Sequence, residues 1–178
     1  MTALAAAVTA SAWRLRGYTG TTLVIRVAEA DPAVELVAGA HHGAPAHLTL
    51  AYPFPLAAVG GSFRTALRQL FAGRPAFDVE LVALRRFDTV AYLEPESEQP
   101  FAALAAAVQD RFPGHPLYDG AFPTYIPHVS LGPVDQLTPA AEAAVGGSLP
   151  IRARVSEVQL WAMRRNWQRF DRFTLLGQ

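Results

Sequence analysis

Two segments far apart in the chain share one pattern, in which a histidine is followed by an apolar residue, a hydroxyl residue and a leucine. They are His47–Leu50 and His128–Leu131. Side chains alternate between the two faces of a β-strand, so the histidine and hydroxyl of each segment would project from one face, with the apolar residues packing behind them. The pattern predicts two strands that each bury one face and present half of a phosphate site on the other.

A single histidine beside a hydroxyl residue has little specificity, because such a pair is usually a surface pair or a satisfied core pair. The repetition favours a functional interpretation. Five histidines occur in the chain, and two of them stand in matching frames. The candidate catalytic residues are therefore His47, Thr49, His128 and Ser130.

The flanks of the two motifs carry a resemblance to a known family. The first motif runs into Tyr52-Pro53-Phe54, and the second follows the aromatic and proline-rich segment Phe122–Pro127. Together they resemble the two-histidine phosphoesterase superfamily, which includes the 2′-5′ RNA ligase-like proteins and the 2′,3′-cyclic phosphodiesterases. The resemblance extends from about Thr21 to the C-terminus. It implies an α+β, bilobal fold with two pseudo-symmetric β-sheet lobes, outer helices and a central cleft.

The resemblance also implies an activity, the opening of 2′,3′-cyclic phosphates on nucleotides or RNA ends, with some members joining 2′-5′ ends in the reverse sense. The residue types suit that chemistry. Two imidazoles with a pKa of about 6.5 can supply a base and an acid at neutral pH. The Thr49 and Ser130 hydroxyls can donate to phosphoryl oxygens. No metal or other cofactor is expected, and the residue types leave open which histidine is the base.

One departure from the family pattern concerns the second motif. A basic residue often follows it closely in RNA-processing members, whereas Gly132-Pro133 follows it here. Five aromatic residues near the motifs could stack on a base, although burial in the core is an equally good explanation for them. These candidate substrate contacts are Tyr52, Phe54, Tyr92, Phe122 and Tyr125.

Composition narrows the class of partner. The formal net charge of +0 gives no long-range attraction for a long polyanion, so a nucleotide or RNA end carrying a cyclic phosphate is a better partner than DNA. All 15 basic residues are arginine, which excludes Schiff-base and lysyl-adenylate chemistry. The chain has no cysteine, which excludes disulfides and thiolate chemistry.

Length and hydropathy predict one domain. At 178 residues with 51% apolar residues, the chain can bury a substantial core. We expect a partly flexible N-terminal segment over residues 1–20 and a single domain over residues 21–178. The N-terminal apolar stretch is short, with no Lys or Arg before it, which is unlike a secretion signal. No stretch reaches the ~18 apolar residues of a membrane span, so a cytoplasmic location is expected. We also expect a monomer.

Two other functions remain open. The same side chains could form a binding module that captures phosphorylated nucleotides or RNA ends without turnover. Alternatively, His41 and His42 could join His47 in a metal site. No nearby carboxylate or thiolate completes a ligand set for that site, so an exposed loop is the stronger interpretation of His41 and His42.

Periodicity and turn residues predict the remaining elements. Strands are expected over residues 21–27, 77–84 and 89–95, the last two as a hairpin, with two long strands over 151–163 and 168–176. Helices are expected from Asp31 as N-cap, after Gly60-Gly61-Ser62, over residues 101–111, and after Thr138. Three arginines alternate with apolar residues in the C-terminal strands, and one of them could reach the phosphate: Arg152, Arg154 and Arg164.

Overall fold

The computed structural model describes residues 17–37 and 44–177, which contain eight strands, four α-helices and four short 3₁₀ helices. The strands are β1 (Gly20–Arg26), β2 (His47–Phe54), β3 (Phe77–Arg86), β4 (Val90–Pro95), β5 (Val129–Pro133), β6 (Ile151–Val155), β7 (Glu157–Met163) and β8 (Trp167–Thr174). The helices are α1 (Asp31–Glu35), α2 (Gly61–Ala72), α3 (Gln99–Arg111) and α4 (Pro139–Gly147). The α+β class predicted from the sequence is confirmed.

The strands form one antiparallel sheet in the order β6-β3-β4-β5-β2-β1-β7-β8. The two motif strands, β2 and β5, meet at its centre. We call β2-β1-β7-β8 the His47 half and β5-β4-β3-β6 the His128 half. The two lobes expected from the sequence are therefore halves of one continuous sheet, joined along a seam where a single residue pair, Leu48 with Val129, is in register.

One face of the sheet is covered by helices, and the motif strands show why. Leu48, Leu50, Val129 and Leu131 are fully buried and belong to the same apolar cluster as residues of α2 and α3, whereas both histidines lie on the other face. Burying a leucine side chain contributes about 1.5–3 kcal/mol, so the alternation in each motif fixes which face turns inward. The histidine face is left open.

Helices also tie the two halves together across the seam. Helix α1 follows β1 in the His47 half but contacts β5, and α3 follows β4 in the His128 half but contacts β2. The Tyr125 hydroxyl adds a hydrogen bond of 2.9 Å to the Thr49 carbonyl. The centre of the sheet is thus held by packing and by this contact, since the ladder there is short.

Three local predictions are corrected. Asp31 is the first residue of α1 and not its N-cap, because its carboxylate binds Arg26 and the Ala46 amide instead. Ser62 does not cap α2, whose N-cap is Gly60. The predicted strand over 151–163 is two strands that break at Ser156: β6 pairs with β3 and β7 with β1, so they lie in different halves of the sheet.

Other local predictions are confirmed. The hairpin of β3 and β4 forms, and Thr138 caps α4 by accepting a hydrogen bond of 3.1 Å from the Ala141 amide. Most of the N-terminal segment expected over residues 1–20 lies outside the described residues. None of the described helices is long and apolar enough to cross a membrane.

Candidate active site

The register at the seam brings the four motif side chains onto one patch. Leu48 lies opposite Val129, and continuing this antiparallel register by one residue each way sets His47 opposite Ser130 and Thr49 opposite His128. All four then share the face opposite the buried leucines. The two histidines are diagonal neighbours, a relation that usually separates residues by about 7–8 Å. That spacing leaves room for a phosphate between two imidazoles.

His47 is fixed by its own backbone and by a tryptophan. Its Nδ1 lies 2.8 Å from the Pro45 carbonyl oxygen, which can only accept, so Nδ1 carries a proton and Nε2 is the nitrogen that exchanges one. The ring packs against Trp161 of β7, with ring centroids 4.8 Å apart. These contacts set both the tautomer and the orientation of the imidazole.

Trp161 is itself held by a chain of hydrogen bonds along β7. Its indole nitrogen donates to Gln159 Oε1 at 2.7 Å, and Gln159 Nε2 donates to Glu157 at 2.7 Å. Gln159 and Trp161 are buried, and three residues with i, i+2 spacing line one face of the strand. A buried polar chain with every member satisfied is rigid, so it holds the surface against which His47 packs.

His128 is fixed in the corresponding way, with different aromatic partners. Its Nδ1 lies 2.7 Å from the Ile126 carbonyl oxygen, two residues earlier as in the first motif. The ring packs on Phe87 and Tyr92, with centroids 5.0 and 5.3 Å away. Burial lowers the pKa of the His128 imidazole, an effect partly opposed by the hydrogen bond to Ile126. The neutral form of His128 is therefore favoured.

A groove of about 170 Å³ opens beside the first motif on the histidine face. We call it the His47 groove, and its lining residues are Thr22, His47, Thr49, Tyr52, Tyr118, Trp161 and Trp167. Burial raises the pKa of Tyr118, and a hydrogen bond with the Thr49 side chain opposes that rise. The Tyr118 hydroxyl thus stays protonated at neutral pH and contacts a candidate catalytic hydroxyl.

The five aromatic residues predicted as substrate contacts lie in different surroundings. Tyr52 lines the groove and lies edge-on to Tyr118 and Trp167. Tyr92 backs His128, and Phe122, at 64% exposed, packs on Tyr118. Tyr125 bonds the β2 backbone.

Phe54 lies away from the groove. It is 3% exposed and packs against Phe63, Phe112 and His115 in the core. A buried ring cannot stack on a base, so the core explanation of Phe54 is the correct one.

The three arginines predicted as possible phosphate contacts lie on an edge strand or in a turn. Arg152 and Arg154 are on the edge strand β6 and pair with Glu80 and Asp78. Arg164 lies in the turn between β7 and β8. Arg169 was not predicted from the sequence. It is the cross-strand partner of Trp161 and shares its face, because directly paired residues in an antiparallel ladder point the same way.

Trp161, Trp167, Tyr118 and Thr22 line the groove and were also missed. The sequence does contain a sign of the two tryptophans, since both stand near the C-terminus in segments where polar and apolar residues alternate as in a strand. The sequence does not show that these tryptophans lie near the first motif, because β7 reaches β2 only through β1.

Within residues 17–37 and 44–177, no group of three or more acidic, histidine or cysteine side chains could hold a metal ion. His41 and His42 of the alternative metal site lie outside that range.

Several solved structures have a similar fold. Related structures include E. coli LigT complexed with NADP⁺ (19% identity, TM-score 0.60, covering 90% of this chain and 99% of that one). TT0787 of Thermus thermophilus has 16% identity and a TM-score of 0.60, covering 90% and 100%. A further phosphoesterase has 16% identity and a TM-score of 0.59, covering 90% and 99%. These likenesses show the fold alone.

Among curated protein sequences, none matches the chain. A family model described as the 2′-5′ RNA ligase superfamily matches residues 22–167, which is most of the chain and includes both histidine motifs. The protein therefore belongs to the 2′-5′ RNA ligase superfamily.

Proposed function

We propose that this protein is a phosphodiesterase that opens 2′,3′-cyclic phosphates of nucleotides or RNA ends without a metal ion. The observation that carries the proposal is the pair of imidazoles beside the seam, each with Nδ1 on the carbonyl two residues earlier and each backed by aromatic rings. Both rings thereby direct Nε2 to proton transfer. The nucleotide class of ligand is supported by E. coli LigT, a structural relative whose crystal structures hold 3′-AMP and ATP.

In the proposed reaction, His128 is the base and His47 the acid. Neutral His128 removes a proton from water, the resulting hydroxide oxygen bonds to phosphorus, and the bond from phosphorus to the ribose 3′ oxygen breaks. Protonated His47 gives its proton to that oxygen, leaving a 2′-phosphate and a free 3′ hydroxyl. The assignment follows from the lowered pKa of His128, because a base must be neutral when the substrate binds.

Thr49 and Ser130 are proposed to hold the phosphoryl oxygens. Each hydroxyl lies two residues from a histidine on the same strand face and across the seam from the other histidine. Charge grows on the phosphoryl oxygens as the water attacks, so donors placed there stabilise the transition state more than the substrate. Trp161, which is buried, and Trp167, which is half-buried, line the groove, and Trp167 offers a π-face to a base.

The deciding experiment is turnover. Purified protein is incubated with an excess of each nucleoside 2′,3′-cyclic phosphate, and products are separated by chromatography with 2′- and 3′-phosphate standards. We expect many turnovers per protein and accumulation of the 2′-phosphate. If the protein binds the cyclic nucleotide and protects it from hydrolysis, the binding-module function replaces the enzymatic one.

A further inference from the structure

A basic cleft lies at the turn between β7 and β8, outside the histidine pair. It has a volume of about 430 Å³ and is lined by Arg164, Arg165, Asn166 and Gln168. All four side chains can donate hydrogen bonds, and two carry a permanent positive charge. Among the residues that the structure describes, no carboxylate lines the cleft. Its chemistry therefore suits an anion.

The charges in this cleft are not neutralised within the part of the chain that the structure describes. Eight described arginines form ion pairs with carboxylates: Arg26, Arg64, Arg68, Arg85, Arg86, Arg152, Arg154 and Arg172. Arg164 and Arg165 form none with any described residue. In a chain whose formal net charge is +0, two adjacent guanidinium groups with no described carboxylate partner give this turn a local positive charge.

The cleft and the His47 groove are lined by residues of the same short segment around Trp167. This tryptophan stands between Asn166 and Gln168 in sequence, yet its side chain lines the groove with His47 and Thr49. Its ring lies 6.0 Å from that of Tyr52. One short segment thus contributes an aromatic face to the catalytic groove and polar donors to the cleft.

We propose that the cleft binds a second phosphate of the substrate, so that the preferred substrate carries another phosphate besides its cyclic one. This inference rests on the proposed function and specifies its substrate class. Arginine is suited to the task because its planar fork matches phosphate oxygens in pairs. The second phosphate comes either from the preceding internucleotide linkage of an RNA end or from a 5′-phosphate on a single nucleotide.

The test compares three substrates: a nucleoside 2′,3′-cyclic phosphate, the same compound with a 5′-phosphate, and a dinucleotide ending in the cyclic phosphate. We expect kcat/KM to be at least about tenfold higher for a substrate with the second phosphate, the size of one charge-assisted contact. An advantage for the 5′-phosphorylated nucleotide identifies its own phosphate as the ligand. An advantage for the dinucleotide alone identifies the RNA strand.

The double variant Arg164→Gln/Arg165→Gln should lose most of this advantage, so that its kcat/KM ratio between doubly and singly phosphorylated substrates falls towards one. Arg152→Gln is the matched control, because it removes an exposed arginine at the opposite edge of the sheet. Equal kcat/KM for all three wild-type substrates, or a loss in the double variant that is the same for each, would overturn the proposal.

If no substrate is turned over, the proposed function fails, while the cleft remains testable by equilibrium binding of the same three compounds. A tighter Kd for the doubly phosphorylated ligands in the wild type, lost in the double variant, would support the cleft. Equal Kd values would overturn it. Thermal unfolding of each variant verifies that the fold is retained.

Discussion

The two halves of the sheet hold their histidines by the same backbone device and by different side chains. In both, Nδ1 donates to the carbonyl two residues earlier. In the His47 half the ring packs on Trp161, which comes from β7 and is anchored by Gln159. In the His128 half it packs on Tyr92 of the neighbouring strand β4, which is stacked on Phe87 at 4.1 Å.

We propose that this difference gives the two imidazoles different catalytic roles. His128 sits on two aromatic rings, and burial lowers its pKa. His47 lines an open groove beside the hydroxyls of Thr49 and Tyr118. The shared backbone contact leaves Nε2 of both rings for proton transfer, and the unlike surroundings let the two rings differ in protonation state, as the proposed acid and base require.

The largest expected effect comes from removing the histidines themselves. His47→Ala or His128→Ala should each lower kcat by about 10²–10⁴-fold, the usual contribution of a general acid or base. The double variant should lose little more, because both groups serve one transition state. Initial rates with a 2′,3′-cyclic nucleotide measure this. Losses that multiply in the double variant would show that the two halves act separately.

A smaller effect is expected from Gln159, which anchors Trp161 in the His47 half. Gln159→Leu leaves the Trp161 indole nitrogen without its buried acceptor, which should loosen the surface behind His47 and lower kcat about tenfold with little change in KM. Gln109→Leu is the control, since it removes the hydrogen bond that Gln109 of helix α3 donates to the His115 carbonyl beyond the helix. A rise in KM with unchanged kcat would contradict the positioning role.

The pH dependence separates the two histidines by function. The value of kcat/KM should be bell-shaped, with its rising limb below about pH 6.5 because the base has the lowered pKa. The limbs belong to the coupled pair. His128→Gln should abolish the rising limb, and His47→Gln the falling one. A rate that is flat from about pH 5 to 8 would show that proton transfer by these imidazoles does not limit the reaction.

The lowered pKa of His128 should also make protein stability depend on pH, although this effect is smaller than those on activity. The folded His128 has a lower pKa than the unfolded one, so below about pH 6.5 the unfolded chain binds more protons. The free energy of unfolding should therefore rise with pH up to about 6.5, and this contribution should be constant above it. Urea unfolding at several pH values should show a shallower slope for His128→Gln. An unchanged slope would contradict the burial of His128.

The smallest expected effect is that of chelation. Activity should survive EDTA, because the proposed mechanism uses side chains of both halves and needs no metal. The measurement is the initial rate before and after dialysis against EDTA. A loss that one divalent ion restores would replace the two-histidine mechanism with a metal-assisted one.

Local sequence patterns predicted strands and helices correctly where no distant residue competed for the side chains involved. The alternation of His47, Leu48, Thr49 and Leu50 predicted the correct strand and faces, and the resemblance carried by the motifs predicted the correct family. Patterns failed where a long-range partner changed the outcome. Asp31 has the usual residue type of a cap, but Arg26 and the Ala46 amide compete for its carboxylate.

The sequence alone determined which face of each motif strand is buried and that each histidine shares a face with a hydroxyl. It also determined that the only basic side chains besides histidine are arginines. The first two of these features depend on neighbours one or two residues away, a relation that any strand shares. Tertiary structure decided that β2 and β5 meet at the seam, that Ser156 sends two strands to different halves, and that Trp161 lies against His47. Such contacts depend on strand order, and strand order is set by burial of the whole core and not by any local pattern.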